Sequence, residues 1–145
     1  MNASEKILFI YPTIPREGGF AQKPYNPDSV VYGISSTEKQ TVIVTAGVRL
    51  LFSKNSHLTI DILKHGEMIS PDNHETTGFQ EIISDHVIDK DEMTIITSMH
   101  VKDVVFKNSG TYEIKCTLFE NDSDGNKKVA DMFSCYIVIV VAEER

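Results

Sequence analysis

Apolar residues in this chain concentrate in short runs, most clearly at every second position in Leu58, Ile60 and Ile62, and clusters of Gly, Pro, Asn, Asp and Ser separate the runs. Strand side chains alternate between faces, so this period predicts half-buried β-strands. Val, Ile, Thr, Tyr and Phe, which suit a pleated surface, fill the runs. The first run, Lys6 to Tyr11, stops at Pro12 and Pro15. From there to about residue 29, Gly18, Gly19, Pro24 and Pro27 predict an irregular segment, because proline supplies no ladder donor.

The long run from Gln40 to Phe52 is interrupted by Gly47, which predicts a bulge or bend. A turn at Lys54, Asn55 and Ser56 precedes His57 to Lys64, where Leu58, Ile60 and Ile62 face one way and Thr59 and Asp61 the other. These two runs are expected to pair as an antiparallel hairpin. Gly66 to Thr77 reads as polar loop. Phe79, Ile82, Ile83 and Val87 then recur at helical spacing, with Thr77 as a cap, and predict one short helix near 79–87; an irregular strand is the alternative. Met93 to Phe106 is a strand with Ile95, Met99 and Val101 on one face. Its phase slips near Asp103, where Val104 and Phe106 take over, and a bulge accounts for the slip.

The last two strands, Thr111 to Glu120 and Lys128 to Val141, flank the turn-rich stretch Asn121 to Lys127. Folding this hairpin between Gly125 and Asn126 sets Leu118 opposite Phe133, Cys116 opposite Cys135, Ile114 opposite Ile137 and Tyr112 opposite Ile139. All four pairs are apolar and share a face. The two cysteines then read as small core hydrophobes, with a disulfide or thiol switch as the alternative. The turn starts like a calcium loop but has Lys127 where that loop needs glycine, so turn chemistry explains its Asp, Gly and Asn residues.

A chain of 145 residues fits one domain, 1–145, and the strands predict an all-β, antiparallel β-sandwich. Fourteen basic against 21 acidic residues give a net charge of −7. That balance argues against nucleic acid and anionic membrane as partners. The start of the chain has no basic, apolar and small-residue succession of a secretory signal. The run Ile137 to Ala142 is far shorter than the about 20 residues that span a bilayer. These features predict a cytoplasmic protein without a membrane partner.

Asn108-Ser109-Gly110-Thr111-Tyr112 resembles the stretch that leads into the sixth strand of immunoglobulin domains. There the tyrosine hydroxyl bonds back to the backbone and fixes how the chain crosses between sheets. The resemblance implies that Tyr112 is such a corner tyrosine and that the sandwich is immunoglobulin-like. Asn108 stands where that family has Asp, Ile114 where it has a cysteine, and the chain has no tryptophan. The whole chain also looks like uncharacterised small sandwich proteins of bacteria and their phages, a likeness that implies a fold and no activity.

Motifs that declare chemistry are missing from the sequence. His57, His65, His74, His86 and His100 form no His-Glu-x-x-His pair, and Gly33-Ile34-Ser35 lacks the second glycine of a nucleophile elbow. No catalytic residue, cofactor or metal ligand is assigned. The reading that follows is a non-catalytic module binding an unidentified protein partner, as a bacterial or phage accessory protein would, with Phe20 and Tyr25 in the Pro12–Pro27 segment as candidate anchors and the Gly66–Gly78 loop as a second candidate surface. One alternative is a self-associating subunit, a homo-oligomer that extends a sheet through the 40–52 strand or the final strand. The other is a small-ligand or metal-dependent enzyme using His65, His74, Glu67, Asp72 and Glu75.

Overall fold

The computed structural model describes residues 5–15, 26–52, 55–71, 81–121 and 124–142. Among these residues the chain forms β1 (Lys6–Thr13), β2 (Val30–Ile34), β3 (Gln40–Leu51), β4 (Asn55–Lys64), β5 (Glu67–Met68), β6 (Glu81–Val87), β7 (Glu92–Val104), β8 (Gly110–Asn121) and β9 (Lys127–Val141). They make two sheets, one in the order β1-β3-β7-β6 and the other β2-β9-β8-β4-β5. Every pairing is antiparallel except β2 on β9, which is parallel. The expected all-β sandwich is the observed one.

Alternation builds the core between the layers. The first sheet contributes Ile7, Val42, Val44, Ala46, Val48, Ile95, Met99 and Val101, and the second contributes Val31, Leu58, Ile62, Ile114, Leu118, Ile137 and Ile139, all buried. Side chains of this kind contribute roughly 1.5–3 kcal/mol each when removed from water, so the two apolar faces hold the layers together.

Several expectations are corrected. The segment 81–87 is strand β6, and the short helix does not form there. Residues 79 and 80 lie outside the described residues. The register of β6 on β7 shifts between Ile82 and Ser84, which leaves Ile83 as a bulge. A bulge places two apolar residues in succession, and with Val87 that mimics a helical period.

The runs 40–52 and 57–64 do not pair with each other. β3 lies between β1 and β7, while β4 lies between β8 and β5 in the opposite sheet. The turn between them is a crossing from layer to layer. For the same reason neither β3 nor β9 is an edge, since β9 is flanked by β2 and β8. β3 is paired along both flanks, whereas β2 covers only Val138–Val141 of β9.

The terminal hairpin forms, but two residues away from the expected register. Tyr112 lies opposite Ile137, Ile114 opposite Cys135, Cys116 opposite Phe133 and Leu118 opposite Asp131. The shared face survives, because an offset of two preserves the alternation. The register then slips between Leu118 and Phe119, whose partner is Val129, so Ala130 is the extra residue of a bulge. Asp131 can take the inward place because its Oδ2 accepts the Ile7 N–H at 2.9 Å, tying β9 to β1 across the sandwich. Matching apolar with apolar alone could not find that pairing.

One bulge falls where the sequence marks it. β7 carries it between Val101 and Val104, and Asp103 adopts a φ of 62°. At Gly47 β3 itself runs unbroken against β7, and the bulge lies instead on the partner strand β1, whose register shifts between Ile7 and Phe9. A Cβ on Gly47 would sit 2.3 Å from the Phe9 ring, so the glycine makes room for that ring.

The crossing from β3 to β4 is fastened by Glu5, a carboxylate only 2% exposed. Its Oε2 accepts the Leu51 N–H at 2.9 Å and its Oε1 accepts the Ser56 hydroxyl. Hydrogen bonds to a charged group are each worth about 1.5–3 kcal/mol net. Glu5→Ala is therefore expected to lower unfolding free energy by about 2–4 kcal/mol in urea melts, with the denaturant slope unchanged.

Candidate binding surfaces

Where β7 gives way to β8, the backbone turns from one sheet to the other and Tyr112 anchors the corner. Its hydroxyl donates to the Asn108 carbonyl at 2.6 Å. Phe106 meets the Tyr112 ring edge-on, with centroids 4.9 Å apart at 81°. Such a pair adds about 0.5–1.5 kcal/mol beyond the area it buries.

Beside this corner the β4–β5 hairpin makes a two-residue turn in which His65 and Gly66 both have positive φ, 52° and 80°. That is the primed turn that matches the twist of its strands. Between the hairpin and the β7–β8 crossing opens a cleft of about 690 Å³. Met68, Ile69, Val105 and Tyr112 give it apolar walls. Lys64, His65 and Glu67 stand on the hairpin side, and Lys107 and Asn108 on the other.

Lys64 is held in place. Its Nζ donates to the Ser109 carbonyl at 3.0 Å and lies 5.0 Å from the centre of the Tyr112 ring. Gly110, at φ 151°, leaves the space: a Cβ there would stand 3.1 Å from Nζ. The Ser109-Gly110-Thr111-Tyr112 stretch thus seats a lysine as well as a tyrosine.

A second surface lies on the outer face of the β2-β9-β8-β4-β5 sheet. Ile137, Ile139 and Val31 point inward, so Tyr136, Val138, Val30 and Tyr32 point outward. Val30 pairs with Val138 and Tyr32 with Val140, which makes the stripe continuous. Tyr32 is 74% and Tyr136 61% exposed, and Met132 further along β9 is also exposed.

The expected anchors Phe20 and Tyr25 lie outside the described residues, as do His74, Asp72 and Glu75. His65 and Glu67 do reach the cleft. Among the described residues no group of three or more His, Cys, Asp or Glu side chains is arranged to hold a metal ion, and no helix is long and apolar enough to cross a membrane. Sequence reasoning missed Lys64, Lys107 and the Tyr32–Tyr136 stripe. The period-two pattern of β9 carried a signal for the stripe, since Tyr136, Val138 and Val140 make its outward positions apolar too. The chain matches no protein-family model, no curated protein and no solved structure.

Both cysteines are free thiols, on the inward face of β8 and β9. Burial, then the neighbouring Cys135 and Asp131, push the Cys116 thiol up to about 12, and burial pushes Cys135 up to about 11. An unfolded chain ionises these thiols near 9.0 and the folded one much later, so between those values the folded state holds more protons. Their contribution to stability is complete below pH 9 and is lost as pH rises through that window. A Cys116→Val, Cys135→Val double variant is expected to lose less stability than the native chain between pH 9 and pH 11 in parallel urea titrations. At pH 8 the native thiols are expected to resist alkylation that urea then permits.

Proposed function

We propose that this chain is a non-catalytic protein-interaction module of immunoglobulin-like architecture, using the outer face of its β2-β9-β8-β4-β5 sheet as the contact surface. Strand order supports the architectural part. β1-β3-β7-β6 follows the A, B, E, D order of immunoglobulin domains, and β9, β8 and β4 sit together as G, F and C do. The Tyr112–Asn108 hydrogen bond has the form of the corner contact in that fold. The cysteine pair and tryptophan of antibody domains have no counterpart, and aliphatic packing fills their place.

The observation that carries the functional part is the exposed Tyr32–Val30–Val138–Tyr136 stripe. Tyrosines on regular strands present large, stiff, amphipathic area at little entropic cost, which suits them as binding anchors. The surrounding polar residues, Glu113, Lys115 and Asp61, form a hydrophilic border on the same face.

A Tyr32→Glu, Tyr136→Glu double variant places charge on that stripe without touching the core. Affinity capture from native lysate, quantified by mass spectrometry, is expected to recover partner proteins with the native chain and about tenfold less with the variant. Equal recovery, or bait alone at every salt concentration, overturns the reading. Light scattering is expected to report a concentration-independent monomer; a dimer that the double variant dissociates would instead make a second copy the occupant of the stripe.

A further inference from the structure

We propose that the cleft beside the Tyr112 corner is a binding site for an organic carboxylate, a single carboxyl group carried on an apolar body. Its volume of about 690 Å³ is that of a small-molecule pocket. Met68, Ile69, Val105 and Tyr112 give the otherwise polar cleft an apolar part, against which a hydrocarbon or aromatic group can lie. The polar groups decide its charge. Lys64 and Lys107 approach from two different segments, and Glu67 opposes them, which leaves an excess of one positive charge for a monoanion in a protein of net charge −7. A monoanion neutralises that excess, whereas a dianion such as phosphate leaves the site with a net negative charge and gains nothing from the apolar walls.

Lys64 is the residue built for this task. The Ser109 carbonyl, the Tyr112 ring and the space over Gly110 fix its ammonium group, and the one hydrogen bond donated to Ser109 leaves two N–H donors to share. A lysine already ordered loses little further rotamer freedom when an anion arrives. Lys107, exposed on the facing wall, closes on the carboxylate from the other side.

The test is a titration of the ¹⁵N-labelled full chain, followed through the backbone amides of His65, Lys107 and Asn108. The probes are hexanoate and N-acetyl-Gly-Leu, each compared with its uncharged amide, and inorganic phosphate. Both carboxylates, or one of them, are expected to produce saturable shifts at these amides, at least fivefold weaker for the matching amide. Tighter binding of hexanoate assigns the site to a free acid, and tighter binding of the dipeptide assigns it to the C-terminus of a peptide. Lys107→Gln, a change at an exposed position outside the strands, is expected to weaken binding at least fivefold. Lys64→Met should do the same if its spectrum keeps the native dispersion. No saturable shift from either carboxylate, equal binding of the amides, tighter binding of phosphate, or an unchanged affinity in Lys107→Gln overturns the proposal. The readout is local to the cleft and stands or falls apart from the tyrosine stripe.

Discussion

Each passage of the chain from one sheet to the other leaves backbone groups that no neighbouring strand can satisfy, and side-chain oxygens meet them. Glu5 accepts the Leu51 N–H where β3 crosses to β4, and Asp28 accepts the Ile14 N–H at 2.9 Å where β1 leads towards β2. Ser70 accepts the Ile62 N–H at 3.0 Å beneath the β4–β5 hairpin, and Ser109 accepts the Val141 N–H at 2.9 Å beside the Tyr112 corner. Asp131 does the same for Ile7 at the β1 bulge. A buried donor left without a partner costs about 1–3 kcal/mol, and a domain of this size has only about 5–15 kcal/mol to lose. The apolar faces hold the layers together; these oxygens allow the chain to move between them.

The same contacts separate what was legible in the sequence from what was not. Period two marks β4 because burial on one face imposes it directly on residue type, whereas β3, buried on both faces from Val42 to Val48, reads as a continuous apolar run. The bulge in β7 is legible for the same reason: it breaks the period at Asp103. Which strands pair is much less legible. β3 and β4 are adjacent in sequence and both apolar, yet the hydrogen bonds of Glu5 turn the link between them into a crossing. In the terminal hairpin, apolar pairing favours one register and the Asp131–Ile7 bond another. A polar residue satisfied from the opposite sheet is invisible to any rule that compares two strands alone.

The candidate surfaces follow a similar division. Tyr112 is legible because its contact is local, four residues back along the chain. Lys64 is not, since its position depends on a carbonyl 45 residues away and on the missing side chain of Gly110. The acidity of the chain is also recast. Glu5, Asp28 and Asp131 hold backbone donors within the structure, so part of the negative charge belongs to the architecture and the remainder to the surface.

The Asp131–Ile7 bond joins residues 124 positions apart, and β9 stands between β2 and β8 in its sheet. During synthesis, therefore, β8 emerges with one flank unpartnered, and β2 has no strand to lie against until the last of the nine leaves the ribosome. The apolar faces of β3 and β7 must wait through that interval for the completed opposite layer. A topology of such distant pairings folds late and slowly, with its interior accessible to chaperones and to other nascent chains.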